Sequence, residues 1–237
     1  MTETVRLAKR VAELFQCSRG EAVLYIENGG VAVDGVTVEE SGFRVLPQSA
    51  ISLQPNASLA PALPVTIVIN KPAGVSPRDT VSLIIAANQA ADDQSGLHLL
   101  KRHLHDLHLL DPLDTTAAGL VVLTQDWRVK RKLVDDLARV EQEYIAEVSG
   151  HIMPDGLALL NQGLVFNGKQ VPTVKASWQN ETRLRFAIKG ATARLIDHVC
   201  GKVGLAVVSI RRIRIGRLPM SSLPIGQWRY LSEHERF

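Results

Sequence analysis

The chain has little of several features that define specialised classes of protein. Its 237 residues include only two cysteines, Cys17 and Cys200, which lie far apart and lack the spacing of metal ligands. So few thiols argue against a disulfide-rich secreted domain, and we expect a cytoplasmic protein with reduced cysteines. No apolar run approaches the roughly 20 residues of a membrane-spanning helix, and the first residues lack the charged-then-apolar layout of a signal peptide. We therefore expect a soluble protein that does not act in a membrane.

The chain also lacks a large excess of charge of either sign, because its formal net charge is only +3. Its distribution is more informative than its total. Residues 1–53 carry five Lys and Arg against seven Asp and Glu, whereas residues 183–217 carry nine against one acid, Asp197. Such a one-sided block exceeds what solubility requires, so we expect residues 183–217 to contact a polyanion such as an RNA backbone. The alternative is a solvated strand face.

Hydrophobic residues make up 46% of the chain, enough for one sizeable core and a small appended domain. Local signals in the first 53 residues predict helices and short strands. Ser18 followed by Glu21 is a capping box that predicts a helix start, and Asp34-Gly35 suits a two-residue hairpin turn. The predicted elements are helices Val5–Phe15 and Arg19–Glu27, strands Val31–Val33 and Val36–Val38, and a further strand Val45–Leu53.

Residues 54–64 contain three prolines and predict a semi-rigid linker, so we expect a second domain over residues 65–237. Its main predicted elements are strand Val65–Asn70, strand Leu120–Leu123, helix Trp127–Arg139, strand Val140–Val148 and helix Ala193–Val203. The helix that begins at Trp127 has a basic face formed by Arg128, Lys130, Arg131 and Lys132. That face is a further candidate for contact with phosphates.

One carboxylate in the second domain is a candidate catalytic group. Asp114 lies in a turn of small residues directly before the predicted buried strand Leu120–Leu123. A rigid strand edge can hold an acid in a defined position, although an Asp in a turn often serves only as an Asx-turn residue.

Asp114, the Gly119-Leu120 pair and the following Leu-Thr-Gln-Asp resemble the signature loop of RNA pseudouridine synthases of the RsuA type, which modify ribosomal RNA. In that family the catalytic Asp precedes the Gly-Leu pair by a fixed step, which selects Asp114 rather than Asp111. The resemblance implies an isomerase that converts uridine to pseudouridine without a cofactor, with Asp114 as nucleophile. The family usually has an Arg two residues before the Asp, where this chain has Pro112.

The same resemblance implies further site residues. Tyr144 corresponds to a family tyrosine that stacks against the target base, the alternative being a half-buried strand residue. Arg212 lies in a C-terminal segment similar to that of the family and is the first candidate partner of Asp114, with Arg194 and Arg102 as alternatives. The family's basic run is replaced here by residues 190–197, in which Arg194 is the one basic residue.

Residues 5–53 resemble the alpha-L (S-four-like) RNA-binding domain of these synthases. The alternative is a packing domain that has lost its affinity for RNA. Together with the basic C-terminal block, the resemblance predicts a set of RNA-binding residues: Arg6, Lys9, Arg10, Arg19, Lys71, Arg194, Arg211 and Arg214. For Lys71, in an Asn-Lys-Pro turn, the alternative is an ordinary solvated lysine.

Four histidines between His98 and His108 surround Asp106, but their spacing fits neither a paired helical ligand set nor a zinc finger. We therefore expect no metal site.

The predicted fold class is α+β, with a small N-terminal RNA-binding domain (1–53), a linker (54–64) and a synthase domain (65–237) built on a large mixed, mostly antiparallel sheet. We expect a monomeric RNA pseudouridine synthase that acts on ribosomal RNA. The alternative is a catalytically impaired, synthase-like RNA-binding protein acting in ribosome assembly. An unrelated glycosidase is disfavoured, because no second carboxylate is placed as an acid partner.

Overall fold

A computed structural model describes residues 4–61, 63–162, 165–166, 169–170, 174–190 and 193–237. The chain forms two compact units. The first contains Met1–Pro64 and His98–Asp106, and the second contains Val65–Leu97 and Leu107–Phe237. The segment His98–Asp106 thus groups with the N-terminal residues, which the sequence analysis did not foresee.

The first unit is a small α+β fold. Its elements are β1 (Val5–Arg6), α1 (Leu7–Phe15), α2 (Arg19–Glu27), β2 (Val31–Val33), β3 (Val36–Thr37), β4 (Arg44–Val45) and β5 (Ile51–Leu53), with a 3-10 helix at Lys101–Leu104. Helix α1 therefore begins two residues later than predicted, and the strand predicted over Val45–Leu53 is two shorter strands. Buried apolar residues from both helices and the strands form its core: Leu7, Val11, Ala22, Ile26, Val31, Val33 and Val45.

Two local predictions in this unit are confirmed. The Ser18 hydroxyl accepts a hydrogen bond from the Glu21 backbone N–H at 3.2 Å, and the Glu21 carboxylate accepts one from the Ser18 backbone N–H at 2.7 Å. This capping box starts α2 at the predicted residue. In the hairpin turn, Asp34 and Gly35 have φ angles of 51° and 83°, the positive values that such a turn requires.

The second unit contains the remaining strands and helices. They are β6 (Thr66–Lys71), β7 (His108–Leu110), β8 (Ala118–Thr124), α3 (Trp127–Val134), β9 (Glu141–Gly150), α4 (Gly156–Gln162), β10 (Val165–Phe166), β11 (Lys169–Gln170), β12 (Lys175–Trp178), β13 (Arg183–Lys189), α5 (Ala193–Lys202), β14 (Leu205–Ile215), β15 (Leu218–Pro219) and β16 (Trp228–Tyr230). Short 3-10 helices lie at Arg78–Leu83, Ala86–Asn88 and Leu137–Arg139.

A nine-stranded sheet organises this unit, in the order β12-β13-β9-β14-β8-β6-β16, with β15 paired to β14 and β7 paired to β8. Among the described strands, β8 and β14 pair in parallel and the other neighbours are antiparallel. The predicted large, mixed and mostly antiparallel sheet is confirmed. Its registers place Gly119, Arg212 and Tyr144 side by side on three adjacent strands.

The apolar run after Gly119 is buried, as predicted, and β8 is longer than the predicted strand at both ends. Val68, Leu120, Val122, Leu133 and Ile215 belong to one core cluster of the second unit. The helix predicted over Trp127–Arg139 ends at Val134 and is followed by a 3-10 turn. Burial of both faces explains the near-continuous apolar sequence of β6 and β8.

Parts of two predicted segments, Ala62 in the linker and Ala191-Thr192 in the run at residues 190–197, lie outside the described residues. In the part of the chain that the structure describes, no helix is long and apolar enough to cross a membrane.

Candidate active site

The Asp114 carboxylate lies on an exposed turn just before strand β8. Its side chain is 49% exposed. The turn is held by backbone hydrogen bonds, from Ala117 N–H to the Asp114 carbonyl at 3.1 Å and from Gly74 N–H to the Thr115 carbonyl at 2.8 Å. The second bond ties the turn to the segment that follows β6. Asp114 is therefore both accessible to a substrate and fixed to the sheet.

Arg194 is the residue that contacts Asp114. Its Nε lies 3.1 Å from Asp114 Oδ2, within the range of a charge-assisted hydrogen bond. Arg194 lies in the first turn of α5, and its side chain is 78% exposed. The basic residue that survives in the altered run at residues 190–197 thus reaches the candidate nucleophile. Of the other proposed partners, Arg102 belongs to the first compact unit.

Arg212 does not pair with Asp114, which corrects the first choice of partner. Its buried guanidinium binds Asp111 instead, with Nη1 2.6 Å from Asp111 Oδ2 and Nη2 2.9 Å from the Asp111 carbonyl. Nε donates to the Leu120 carbonyl at 2.7 Å, and Nη1 also approaches Gln142 Oε1 at 3.3 Å. These contacts use all three nitrogens of the planar guanidinium as donors.

Tyr144 is buried next to this arginine. Only 1% of the residue is exposed, and its hydroxyl donates to Gln142 Oε1 at 2.5 Å. Burial raises the pKa of the Tyr144 hydroxyl, while the neighbouring Arg212 charge opposes that rise. The hydroxyl therefore stays protonated and oriented at neutral pH.

Lys71 is also buried, at the end of β6. Its ammonium group donates to the carbonyls of Pro72 at 3.0 Å and Val75 at 2.8 Å. Burial lowers the pKa of Lys71, and the negative charge of Asp114 acts in the opposite direction. With 0% of the residue exposed, Lys71 has no surface for a phosphate, which corrects its prediction as an RNA contact. Its charge acts toward Asp114 instead.

A second acid lies close to the candidate nucleophile. Asp197 follows Arg194 by three positions on α5, so the two side chains share one side of the helix. Burial raises the pKa of Asp197, and the charge of Asp114 raises it further. Asp114 therefore lies in a local field of two cations and one anion.

Gly119, the first residue of the Gly-Leu pair, is required by the approach of two strands. Its φ is 110°, and an added Cβ would lie 2.2 Å from the Arg212 carbonyl oxygen. Any other residue would push β8 away from β14. The motif glycine thus brings the Asp114 loop and Arg212 together.

Comparisons with known proteins agree with this geometry. The S4 domain family matches residues 5–51. Ribosomal small subunit pseudouridine synthase A of Vibrio cholerae is 25% identical over 235 residues, which cover 98% of this chain and 97% of that protein. The dual-specificity RNA pseudouridine synthase RluF of Escherichia coli is 25% identical over 244 residues, covering 98% of this chain and 77% of that protein. A crystal structure of a pseudouridylate synthase superposes with a TM-score of 0.61 at 18% identity, covering 97% and 96% of the two chains, and so supports the fold.

The chain is a homologue of the RsuA- and RluF-type pseudouridine synthases, with an S4 domain at its N-terminus. The resemblance read from the sequence is confirmed.

In this synthase homologue, the predicted RNA-binding residues of the S4 domain lie on or near its surface. Arg6 and Arg19 are exposed. Lys9 and Arg10 approach Glu13 on α1, at 3.9 Å and 3.6 Å. Ion pairs of this kind are weak in water, so these cations remain available to a phosphate.

The predicted RNA-binding residues of β14, Arg211 and Arg214, make contacts within the protein itself. Arg214 Nη2 lies 2.6 Å from a carboxylate oxygen of both Glu141 and Glu143, so its charge is already compensated. Arg211 is partly buried, and its Nη2 lies 3.8 Å from the Met220 sulfur. Much of the excess of basic residues in 183–217 therefore serves packing and ion pairing within the sheet.

The histidine-rich segment divides between the two units of the homologue, with His108 on β7 of the second unit. His103 is buried, and burial together with the Arg102 charge lowers its pKa to about 4. Among the described residues, no group of three or more His, Cys, Asp or Glu side chains is arranged to hold a metal ion.

Two residues of the site were missed at the level of sequence. They are Asp111, which the family motif passes over in favour of Asp114 as the nucleophile, and Gln142, which lies within a predicted strand. A signal for Gln142 was present, because residues two apart on a strand share a face and Gln142 precedes Tyr144 by two. Nothing local distinguishes Asp111 as the partner of an arginine about a hundred residues away.

Proposed function

We propose that this protein is an RNA pseudouridine synthase that isomerises a specific uridine, with ribosomal RNA as its substrate class. The observation that carries the proposal is the Asp114 carboxylate, half exposed and 3.1 Å from the guanidinium of Arg194. The named activities of the homologous synthases support the reaction, and those of the ribosomal small subunit enzymes support the RNA class.

The reaction requires an ionised carboxylate and no other reactant. The bond between the uracil N1 and the ribose C1′ breaks, the base turns, and a bond between C5 and C1′ forms. A proton leaves C5 and one is gained at N1, so the composition of the RNA is unchanged. The Asp114 carboxylate attacks the substrate or stabilises positive charge at C1′, much as a carboxylate does in retaining glycosidases.

Two cations interact with the negative charge of this acid. Arg194 donates a hydrogen bond directly to Asp114, and the charge of the Lys71 ammonium group attracts that of the carboxylate. We assign to Arg194 the role that the missing arginine before Asp114 has in the family.

We assign to Tyr144 the contact with the target base. A base must leave its stack to reach Asp114, which costs a few kcal/mol, and an aromatic side chain recovers about 1–3 kcal/mol by stacking. The ring is 1% exposed, so the base reaches it when neighbouring side chains move on binding.

The S4 domain supplies the second contact with RNA. We propose the domain limits 1–53, 54–64 and 65–237, with Arg6, Lys9, Arg10 and Arg19 toward the RNA backbone. Asp114, Arg194 and Tyr144 all lie in one unit of one chain, so we propose a monomer. We also propose that it acts in the cytoplasm, which a ribosomal RNA substrate supports.

The test is position-by-position mapping of pseudouridine in ribosomal RNA. Cells lacking the protein are compared with cells complemented by wild type, by Asp114→Asn and by Asp135→Asn. Asp135 is an exposed acid at the end of α3 and serves as the control. We expect one site to disappear in the deletion strain and to return with wild type and Asp135→Asn but not with Asp114→Asn.

A second candidate is a synthase-like RNA-binding protein without catalysis, acting in ribosome assembly. It is favoured by Pro112 in place of the family arginine and by the 78% exposure of Arg194, which leaves that ion pair open to water. If no site in ribosomal or transfer RNA changes in the deletion strain, this second function replaces the first.

A further inference from the structure

One guanidinium closes the loop that carries Asp114. The segment from Asp111 to Leu120 contains this loop and the start of β8, and Arg212 binds the backbone carbonyls of these two residues, at 2.9 Å and 2.7 Å. It also binds the Asp111 carboxylate at 2.6 Å. The Asp114 turn therefore lies between two backbone positions that are both bound by the Arg212 side chain.

The same group reaches Tyr144 through Gln142. The amide nitrogen of Gln142 donates to Asp111 Oδ2 at 2.5 Å, while its oxygen accepts from the Tyr144 hydroxyl at 2.5 Å and from Arg212 at 3.3 Å. An amide has one donor end and one acceptor end, so contact with Asp111 determines which end faces Tyr144. The Tyr144 hydroxyl must then act as the donor.

This arrangement is costly for the fold. Arg212 and Gln142 are 0% exposed, and Asp111 has a φ of 41°, in the left-handed region. Burying an ion pair often adds nothing to stability compared with apolar side chains of the same volume. Backbone strain of this kind tends to occur at functional sites. A network that is buried, strained and next to the Asp114 turn points to a role in the site.

We propose that Asp111, Gln142 and Arg212 are positioning residues that hold the Asp114 loop and the Tyr144 hydroxyl in one fixed geometry for the reaction. Asp114 lies in a turn and Tyr144 on strand β9, and the network joins the Tyr144 hydroxyl to Asp111 and Leu120, which flank the Asp114 turn. Arg212 thereby acts through other residues instead of pairing with the nucleophile. This inference rests on the proposed synthase activity.

Gln142→Glu gives a test with a pH signature. When protonated, the introduced carboxyl group has the same donor and acceptor pattern as the amide, donating to Asp111 and accepting from Tyr144. When ionised, it presents only acceptors to the Asp111 carboxylate, and like charges repel. Burial and that repulsion raise the pKa of the introduced acid, while the Arg212 guanidinium, whose Nη1 lies 3.3 Å from Gln142 Oε1, acts in the opposite direction. We expect burial and repulsion to dominate, so that the carboxyl group changes its state between about pH 5.5 and pH 8.

The measurement is the single-turnover rate of pseudouridine formation at saturating RNA, taken as the ratio of variant to wild type between about pH 5.5 and pH 8. We expect a ratio of about 0.1 or lower at pH 8 that rises toward 1 as the pH falls, with the RNA dissociation constant unchanged. Taking the ratio removes any pH dependence of the reaction that is common to both proteins.

Gln125→Glu is the matched control. Gln125 follows β8 and its side-chain oxygen accepts a hydrogen bond from the Val65 backbone N–H at 3.1 Å, a role that a carboxylate also performs. It introduces the same charge at the edge of the same sheet, and we expect its ratio to stay near 1 at every pH.

Arg212→Lys is a second variant that keeps the charge and removes the fork of donors. We expect its rate to stay at least about tenfold below that of wild type, because a lysine cannot bind both loop ends and the Asp111 carboxylate together. If Gln142→Glu does not fold, as judged by circular dichroism, Asp111→Asn takes its place, with an expected tenfold loss of rate and unchanged RNA binding.

A ratio for Gln142→Glu that does not vary with pH, or full activity of Arg212→Lys, would overturn the positioning role while leaving the synthase activity intact. An inactive wild type on all ribosomal RNA would instead overturn the proposed function, and the positioning role with it. The two failures are thus distinguishable.

Discussion

Two acids on one short loop, Asp111 and Asp114, each pair with an arginine, one from strand β14 and one from helix α5. Arg212 and Asp111 are 2.6 Å apart with side chains 1% and 14% exposed, whereas Arg194 and Asp114 are 3.1 Å apart with side chains 78% and 49% exposed. The two acids are three residues apart in sequence. The two pairs have the same residue types, and their different burial makes one a structural pair and leaves the other available to a substrate.

The difference follows from the energetics of charge in water and in a protein interior. An exposed pair contributes about 0–1 kcal/mol, because water competes for both groups. A buried pair costs desolvation that it recovers only when every donor and acceptor is satisfied, and loss of one partner leaves an uncompensated charge. The exposed pair is therefore expected to affect activity, and the buried pair both activity and stability.

The largest expected effect comes from the exposed acid. Asp114→Asn should reduce pseudouridine formation by at least about 10⁴-fold, because the nucleophile is lost. The free energy of unfolding should change by less than about 0.5 kcal/mol, since the side chain is half exposed. Single-turnover assays and urea denaturation measure the two quantities. Rapid turnover by this variant would remove Asp114 from the mechanism.

Disruption of the buried pair should strongly reduce the stability of the protein. Arg212→Met should lower the free energy of unfolding by about 3–5 kcal/mol, because the Asp111 carboxylate is left buried without its partner. The double variant Arg212→Met with Asp111→Asn should be more stable than Arg212→Met alone, because it no longer has a buried, unpaired carboxylate at position 111. Equal denaturation midpoints for the single and double variants would contradict this account of the pair.

Loss of the exposed cation should be milder than loss of its acid. Arg194→Ala should reduce the rate at saturating RNA by about 10²-fold, comparable to removal of one electrostatic donor from an active site. The midpoint of thermal unfolding should stay within a few degrees of that of wild type. Arg78→Ala, which removes another exposed arginine of the same unit, serves as the control. A wild-type rate for Arg194→Ala would leave Asp114 without its proposed partner.

The smallest expected effect concerns the buried histidine His103. Burial and the Arg102 charge hold the pKa of His103 at about 4, below its ordinary value of 6.5. The unfolded chain therefore binds more protons than the native state between these values, so stability is lost as the pH falls. From pH 7 to 5.5 this amounts to about 1 kcal/mol.

Chemical denaturation at several pH values measures that slope. His103→Asn should flatten it, whereas His98→Asn should leave it unchanged because His98 is exposed. An unchanged slope in the His103 variant would mean that folding does not shift the pKa of this histidine.

The fold was largely predictable because its signals are local. The capping box at Ser18, the turn at Asp34-Gly35 and the apolar runs of β6 and β8 each report the structure of their own residues. Boundaries moved where tertiary packing took over, as in helix α3, which ends at Val134 instead of Arg139.

The site was predictable only as far as the motif extends. Asp114 and Tyr144 were selected by resemblance, and the structure brings Arg194 to Asp114 although that arginine stands in an altered run. Arg212 was expected to serve Asp114 and binds Asp111, and Lys71 was expected at the surface and is buried. Both errors concern long side chains, and the partners that such a side chain contacts depend on which distant strand packs next to its own strand.

The sequence by itself determined the elements, the S4 domain, the mixed sheet and the identity of the candidate nucleophile, because these depend on short-range patterns and on motif spacing. Only the tertiary structure decided which arginine meets which acid. Strand β14 pairs with β8, more than ninety residues earlier in the sequence (Arg211 with Ala118), and with β9, about seventy residues earlier (Arg212 with Tyr144). That pairing places one guanidinium in the interior. Helix α5 leaves the guanidinium of Arg194 exposed to water. The exposure of each arginine–carboxylate pair determines whether the pair supports the fold or is available to a substrate.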